Sequence, residues 1–388
     1  MGQASGGSCR RFVEALFYRA KRVRARDHTW TMVRAPVPWR LPSTPLACAI
    51  VRILLVRLGA FGDILHTLPL AADLAADGWQ VDWLCEDRWS VLLEGSPAVT
   101  RVIRFPRQDL RATGWAWHRR FRLLGRLLGD LRRERYDVVI DAQGLAKSAF
   151  WSAFSGARQR LGHDRSRARE LAWLVPQIGV PCVAEHVIDQ QRDLGRPLLK
   201  AQAPSGPWRF PLPAWQAERT WAATWLAEQK LHRPWILNVG AGWPTKVWPV
   251  ERQSALLRAL GDQGQAALVV WGSRAEGDIA QRVVAESGHG VVAPNTRIPQ
   301  LAGLMASARV VVSGDTGPLH LALALGTPAV GLFGPVPAER NGPRGCGYRN
   351  LQAPGAAWER RDVSKVDMGA ISVEQVCAAA EAALAERA

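Results

Sequence analysis

Short runs of apolar, largely β-branched residues recur from Val51 onward, separated by longer segments with helical spacing of apolar residues. The first run is "VRILLVRL", residues 51–58, and comparable runs follow at 80–85, 100–105 and 136–143. A strand that is apolar along its whole length has to be covered on both faces. This alternation of strand and helix therefore predicts a parallel sheet between layers of helices, which is the α/β class.

A second series of the same kind begins at "RPWILNVGAG", residues 233–242, and continues to residue 335. Between the two series lies the proline-rich stretch 196–215, which cannot form a helix or a central strand. The 388 residues also exceed the usual size of a single core. We predict two doubly wound, Rossmann-like domains, residues 51–215 and 216–388, with the ligand site in the cleft between them.

Residues 1–50 have a different character. They carry nine basic and two acidic side chains, prolines from Pro36 to Pro45, and no periodic apolar pattern. This composition predicts a basic, mostly disordered arm. No apolar run of signal-peptide type follows the basic residues, and the best apolar stretch is interrupted by Arg52 and Arg57. We therefore expect a cytoplasmic protein.

The charge balance favours an anionic partner. The chain has 50 Lys and Arg against 34 Asp and Glu, a net charge of +16. Nucleic acid, a membrane surface and a phosphorylated substrate all satisfy such a charge. Residues 101–135 hold eleven of the basic and three of the acidic side chains, with Arg120 close to two tryptophans. This segment is either a face for anionic lipid or a solvated helix surface.

A turn with the sequence "GAFGDILHTLP" follows the first predicted strand. Gly59 and Gly62 permit a sharp turn, and Asp63 stands near the start of a helix. An aspartate there either caps the helix by accepting backbone N–H groups or faces the cleft as a general base for a hydroxyl. His66 lies on the same helical face, either as a partner of Asp63 or as a core histidine.

Two later turns have the chemistry of an anion site. In "NVGAGWPTKVWP", glycines after a strand expose backbone N–H groups, and Lys246 follows as a point charge suited to phosphate. In "SGDTGPLHLALALG", Thr316 precedes a helix N-terminus that is itself a phosphate site, with His320 one turn further on. The same residues are also an ordinary helix start.

Two more strand-end segments carry polar side chains. "DAQGLAKSA", residues 141–149, places Asp141, Gln143 and Lys147 where they either reach a polyhydroxylated or anionic ligand or begin a solvated helix. Glu276 in "WGSRAEGD" is positioned either to accept the hydroxyls of a ribose or to stand exposed on a helix. No spacing among the six cysteines matches a zinc site.

Taken in order, these five motifs resemble the bacterial lipopolysaccharide heptosyltransferases, and "DAQGLAKSA" resembles the type I members in particular. The resemblance covers the chain from Val51 onward and implies the GT-B fold, two facing Rossmann-like domains. It implies transfer of L-glycero-D-manno-heptose from ADP-heptose to the Kdo of the lipid A inner core, with inversion and with no metal or other cofactor. It also implies a peripheral enzyme at the cytoplasmic face of the inner membrane, with no nucleic-acid partner.

The resemblance also implies roles for single residues. Asp63 is the implied general base, Lys246 holds the diphosphate, Glu276 binds the ribose and Thr296 lies beside adenine. Backbone at Ala241 and Gly242 and the groups at Asp315, Thr316, Gly317 and His320 complete the donor site. The candidates for the acceptor side are His66, Asp141, Gln143, Lys147 and Arg120. Ala241 and Gly242 depart from the hydroxyl residues usual in type I members, and Thr296 replaces a larger apolar residue.

Other functions remain open on the sequence alone. A related transferase would carry the same donor motifs and use a heptosylated or phosphorylated acceptor. A basic nucleic-acid-binding protein would account for the net charge. An NAD oxidoreductase is permitted by the fold, but no strand is followed by the GxGxxG turn that such enzymes use.

Overall fold

The computed structural model describes residues 18–24, 30–36, 51–112, 116–176, 178–200, 206–355 and 366–387. Within the arm predicted over residues 1–50, two strands that the sequence did not predict, β1 (Tyr18–Arg24) and β2 (Trp30–Pro36), pair antiparallel. The rest of that arm lies outside the described residues, so its predicted disorder stays a prediction.

The first half of the chain builds a parallel sheet of six strands in the order β5-β4-β3-β6-β7-β8. Its strands are β3 (Arg52–Val56), β4 (Gln80–Glu86), β5 (Arg101–Phe105), β6 (Val138–Asp141), β7 (Gln159–His163) and β8 (Ile178–Val180). The helices are α1 (Phe61–Ala76), α2 (Arg107–Ala112), α3 (Trp117–Arg133), α4 (Ala146–Phe154) and α5 (Val187–Asp193).

The second half repeats the arrangement with a parallel sheet in the order β11-β10-β9-β12-β13-β14. Its strands are β9 (Trp235–Asn238), β10 (Ala267–Val270), β11 (Val291–Val292), β12 (Val310–Gly314), β13 (Ala329–Phe333) and β14 (Tyr348–Gln352). The helices are α6 (Gln216–Glu228), α7 (Val250–Asp262), α8 (Arg274–Ser287), α9 (Ile298–Ala306), α10 (Gly317–Leu325), α11 (Ala338–Asn341) and α12 (Val373–Ala385).

The predicted α/β class with two parallel sheets is confirmed. Successive residues of β3 show why its sequence is apolar throughout. Ile53 and Leu55 pack into one apolar cluster, while Leu54 and Val56 pack into another, because successive side chains point to opposite faces of a sheet. All four are fully buried, so the sheet has cover on both sides.

The two halves touch through the first turns of α1 and α10. A Cβ added at Gly62 would lie 2.7 Å from the ring of His320, and one added at Gly317 would lie 2.1 Å from the ring of Phe61. Real Cβ atoms do not approach so closely, so both positions need glycine. This contact fixes how the strand ends of one sheet stand relative to those of the other.

Candidate functional site

A cleft of about 620 Å³ lies between the halves, and residues that follow strands of both sheets line it. A second cavity of about 430 Å³, here called the α10 pocket, adjoins it. The two share Thr316 and Gly317 at the N-terminus of α10. One extended ligand can therefore occupy both and pass the exposed amides of that helix.

Asp63 lies in the first turn of α1, on the first-half wall of the cleft. The N-cap is Ala60 rather than the predicted Asp63, which is the third residue of α1; Oδ2 of Asp63 accepts the N–H of Ala60 at 3.0 Å and so supports the helix start. The same atom lies 2.7 Å from Nη2 of Arg57, whose Nη1 donates to the carbonyl of Ala142 at 2.6 Å. The Asp63 side chain is still 41% exposed, and it lines the cleft. Capping and facing a ligand are therefore compatible here.

Lys246 and the turn before α10 form one cluster on the opposite wall. The Lys246 ammonium donates to Oδ2 of Asp315 at 2.5 Å and to its carbonyl oxygen at 3.2 Å. Oδ1 of Asp315 lies 3.3 Å from Nε2 of His320. Burial alone would raise the pKa of Asp315, but His320 and Lys246 together hold that pKa far below its usual range. The carboxylate is therefore anionic and orients the lysine towards the cleft.

The α10 pocket contains the other residues predicted on that side, Ala241, Gly242, Glu276 and Thr296. Oε2 of Glu276 accepts the N–H groups of Gly272 and Ser273 at 2.8 and 2.9 Å, which completes a capping box at the start of α8. Glu276 is thus a helix-start residue that also lines a cavity.

Aromatic residues that the sequence analysis missed close the α10 pocket. Phe61 and Trp89 come from the first half, and their rings stack with centroids 5.8 Å apart. Trp271 lines the same pocket and donates its indole N–H to the carbonyl of Ala293 at 2.8 Å. The only signal in the sequence was the position of Phe61 between the two glycines of its turn.

Asp141 and Gln143 organise the loop after β6. Asp141 is buried, and its Oδ1 accepts the N–H groups of Gln143 and Gly144, both at 3.0 Å. Burial raises the pKa of this carboxyl group. The side chain of Gln143 accepts the N–H of Leu58 at 2.9 Å and lines the cleft. Asp141 therefore shapes the loop, and Gln143 is the one of the two on the cleft wall.

Lys147 belongs to a cluster around Glu86, which is only 2% exposed. Its ammonium lies 3.4 Å from Oε1 of Glu86. Arg107 contacts the same oxygen, and Arg88 lies 3.2 Å from Oε2. Three half-exposed cations therefore surround one buried carboxylate, while the neighbouring Asp87 accepts backbone N–H groups. The sequence did not reveal this cluster because its members come from four separate elements: β4, the short 3-10 helix after it, α2 and α4.

His66 packs inside the contact between the halves. It is 4% exposed, and its ring lies edge-on to that of His320 with centroids 4.1 Å apart. Burial, followed by the neighbouring His320, holds the pKa of His66 well below its usual value. The structure thus places a neutral imidazole at this point.

The basic segment 101–135 contains the helix α3 (Trp117–Arg133). Its inner side chains pack on the first sheet, while Trp117 and Phe121 are 69% and 68% exposed. Arg120 lies on the exposed surface and donates to the carbonyl of Leu110 at 3.1 Å. Across the described ranges, no helix is both long enough and apolar enough to cross a membrane.

Another basic segment of the cleft wall was missed. The loop after β7 places Ser166, Arg167 and Arg169 on the cleft, and the backbone N–H of Arg169 donates to the carbonyl of Gly144 at 2.9 Å. The strand before it carries arginine and glycine and was not predicted, so its strand-end loop was not considered. Among the residues that the structure describes, no group of three His, Cys, Asp or Glu side chains is placed to hold a metal ion.

Comparison with known proteins gives consistent matches. The sequence profile of glycosyltransferase family 9 (heptosyltransferase) matches residues 124–369. The chain is 33% identical to lipopolysaccharide heptosyltransferase 1 of Pseudomonas aeruginosa over 297 residues, which is 74% of this chain and 79% of the relative. It is 30% identical to the protein of the same name from Escherichia coli K12 over 78% of this chain and 94% of the relative.

Solved structures show the same likeness. The E. coli heptosyltransferase WaaC with ADP is similar with a TM-score of 0.70 and 26% identity, covering 86% of this chain and all of WaaC. WaaC with ADP-2-deoxy-2-fluoro heptose is similar with a TM-score of 0.66 over 84% of this chain and 98% of WaaC.

The buried histidines predict how stability depends on pH. Burial lowers the pKa of His163 and of His186 to about 4, whereas an unfolded histidine titrates near 6.5. The unfolded chain therefore binds more protons between these values, and stability falls as the pH decreases from 6.5 towards 4. Each histidine contributes up to about 3 kcal/mol to that loss. The free energy of unfolding can be measured with urea for wild type and His163→Leu from about pH 4.5 to about pH 7.5. It should fall less steeply with decreasing pH in the variant than in wild type.

The exposed His118 provides the control. In His118→Gln the free energy of unfolding should depend on pH as it does in wild type. An unchanged pH dependence in His163→Leu would show that this histidine is protonated alike in the folded and unfolded states.

Proposed function

Since the chain belongs to glycosyltransferase family 9, the heptosyltransferases, we propose that it moves L-glycero-D-manno-heptose from ADP-heptose to the Kdo of the lipid A inner core in lipopolysaccharide core biosynthesis. Residues 51–215 bind the acceptor in this proposal, and residues 216–388 bind the donor. The observation that carries it is the placement of a carboxylate, Asp63, and a lysine-centred anion site, Lys246, on opposite walls of one cleft.

Asp63 acts as the general base. An acceptor hydroxyl is a weak nucleophile at neutral pH, so a carboxylate that takes its proton as the bond forms lowers the barrier. Arg57 and the amide of Ala60 hold Oδ2 of Asp63 from one side. The second carboxylate oxygen is then the atom that faces the acceptor. Attack from this wall, opposite the leaving diphosphate, inverts the anomeric carbon.

The opposite wall stabilises the leaving group. Departure of ADP adds negative charge to the diphosphate, and preorganised donors lower the energy of that state. Lys246 supplies a cation, and Thr316 and Gly317 present backbone N–H groups at the start of α10. Asp315 orients Lys246 and keeps two of its three ammonium hydrogens engaged. His320 supports Asp315 in the same cluster.

The α10 pocket takes the nucleoside. Ala241, Gly242, Glu276 and Thr296 line this pocket. In this proposal Glu276 accepts the ribose hydroxyls beside the backbone of Ala241 and Gly242, and Thr296 contacts the adenine. Phe61 and Trp89 add an aromatic wall against which a base can stack. A Cβ at Gly240 would lie 2.2 Å from the Glu276 carboxyl group, so glycine at this position keeps room for the glutamate.

The acceptor side is basic, as an anionic sugar requires. Lys147, Arg107 and Arg88 surround Glu86 and outnumber it in charge. Gln143 and Arg169 line the cleft near Asp63. In this proposal these side chains bind the carboxylate or phosphate groups of the acceptor, while Asp141 and His66 act from buried positions.

The α3 surface, defined as the exposed side chains of residues 117–133, contacts the anionic inner membrane. It combines Trp117 and Phe121 with exposed arginines that include Arg119 and Arg122. Amphipathic aromatic rings favour the membrane interface, and arginines are attracted by anionic headgroups. The enzyme would thereby reach a lipid-anchored acceptor from the cytoplasmic side.

Turnover tests the proposed reaction directly. Purified protein given ADP-heptose and Kdo-lipid A should release ADP and form a heptosylated product, both measurable by coupled assay and mass spectrometry. ADP-heptose with an already heptosylated core should give no release. The opposite pattern would replace the proposed acceptor with a later core sugar, and no release with either would remove the transferase function.

Variants separate the two walls of the cleft. Asp63→Asn keeps an acceptor for the Ala60 N–H but no base, so it should lower kcat by at least about a hundredfold. Its ADP affinity by calorimetry should stay close to wild type. Lys246→Ala should weaken ADP binding as well as lower kcat, because the ammonium contacts the diphosphate before and during reaction. Near-normal kcat in Asp63→Asn would leave Asp63 only its capping role.

Vesicle binding tests the α3 surface. The double variant Arg119→Gln with Arg122→Gln should bind phosphatidylglycerol-containing vesicles more weakly, by about fivefold per arginine. Arg282 on α8 is exposed on the other half and pairs with Glu286, so Arg282→Gln is the matched control and should bind like wild type. Equal binding by the double variant and the control, measured by sedimentation, would exclude α3 as the membrane contact.

A further inference from the structure

His66 and His320 meet in a contact between the two halves, and the reaction described above gives that contact itself no part. His66 belongs to α1, one turn after Asp63, and His320 belongs to α10. Each is 4% exposed, and their rings meet edge-on with centroids 4.1 Å apart. Within the described part of the chain, neither ring nitrogen of His66 has a hydrogen-bond partner, and neither does Nδ1 of His320.

Three unpaired buried nitrogens are unfavourable for folding. A buried polar atom that loses water and gains no partner destabilises the folded state, whereas an apolar group of similar size does not. Packing alone is therefore a poor explanation for an imidazole at position 66. We therefore expect these ring nitrogens to form a hydrogen bond in another arrangement of the site, such as the ligand-bound one.

The second imidazole connects this pair to the anion site. Nε2 of His320 lies 3.3 Å from Oδ1 of Asp315, and Oδ2 of Asp315 lies 2.5 Å from the Lys246 ammonium. In the Nε2–H tautomer of His320, Nε2 donates to this carboxylate. Its Nδ1 then holds a lone pair, buried in the contact that contains His66.

The two rings are in edge contact, with centroids 4.1 Å apart, and the His66 ring must rotate for its N–H to reach this lone pair. The charged or titratable groups that act on His66 are His320, Asp315, His186 and Arg57. Burial is the main cause that lowers the pKa of His66, and among these groups only Asp315 favours the charged form, so His66 acts as a neutral donor.

We propose that His66 is a positioning residue for the donor: in the donor-bound site its N–H donates to Nδ1 of His320, fixes the Nε2–H tautomer of His320, and thereby holds Asp315 and Lys246 in place for a diphosphate. This inference rests on the proposed function, because the diphosphate is that of the donor. It gives the acceptor half a direct part in building the site for the leaving group.

The variant His66→Leu tests this by removing both nitrogens at nearly constant volume. We expect its ADP dissociation constant and its KM for ADP-heptose to rise by about tenfold, the effect of one hydrogen bond, with a smaller change in kcat. We also expect its melting temperature to equal or exceed that of wild type. A packing role would give the reverse, a lower melting temperature with unchanged ADP affinity.

Ser152→Ala is the matched control. The Ser152 hydroxyl is another buried polar atom without a partner among the described residues, and it lies in α4, outside the donor site. Its removal should also maintain or raise the melting temperature, while ADP affinity stays at the wild-type value. This control distinguishes the removal of an unpaired group from the loss of a positioning contact.

Two further measurements complete the test. Nitrogen-15 NMR of labelled histidine in the ADP complex should show His320 as the Nε2–H tautomer in wild type and as a mixture in His66→Leu. At least one of His66→Asn and His66→Gln, which keep an amide N–H, should recover ADP affinity to within about threefold of wild type.

The inference would be overturned if His66→Leu bound ADP as tightly as wild type and the His320 tautomer were unchanged. It would also be overturned if His66→Asn and His66→Gln both lost as much ADP affinity as His66→Leu. Failure of the proposed function would look different. The wild type itself would then not turn over ADP-heptose, whereas the ADP-binding and tautomer measurements would still decide the role of His66.

Discussion

The contact between the first turns of α1 and α10 is the constraint on which the site depends. Gly62 and Gly317 remove the Cβ atoms that would separate the two helices. The amino ends of both helices then border one cleft, where their partial positive charges oppose each other. Asp63 and Asp315 offset that charge, and an anionic ligand placed between the helix ends would offset it further. The geometry thus favours a negatively charged substrate before any single binding residue is considered.

Charges in and around the cleft are arranged as preorganised pairs. Arg57 holds Asp63, and Lys246 is held by the buried Asp315. Buried ion pairs contribute little to stability once the loss of solvation is included. Their value here is orientation, because a charged group that is already held needs little rearrangement when charge develops during a reaction. Glu86 plays the same part for Arg88, Arg107 and Lys147.

Sequence reasoning succeeded where local pattern and chain topology determine the outcome. The long apolar strands and the glycine-containing turns after them were predictable, whereas β7, β8 and β14 carry polar or glycine residues and were missed. Groups that meet only through the fold were also beyond local reasoning, as with Arg57 beside Asp63. Helical spacing placed His66 on the face of Asp63, but it could not reveal the imidazole of another domain against it.

The placement of the site follows from strand order rather than from any single motif. Both sheets are parallel, and in each the order in which strands are added switches to the other side of the sheet at the central pair, β3 with β6 and β9 with β12. Crossovers leave such a pair towards opposite sides, which opens a crevice at the carboxyl ends of the strands. Asp63 and Gln143 stand at one crevice, and the Lys246 and Asp315 cluster stands at the other. The missed strands β7, β8 and β14 all lie outside these central pairs, so missing them did not change the predicted position of either crevice.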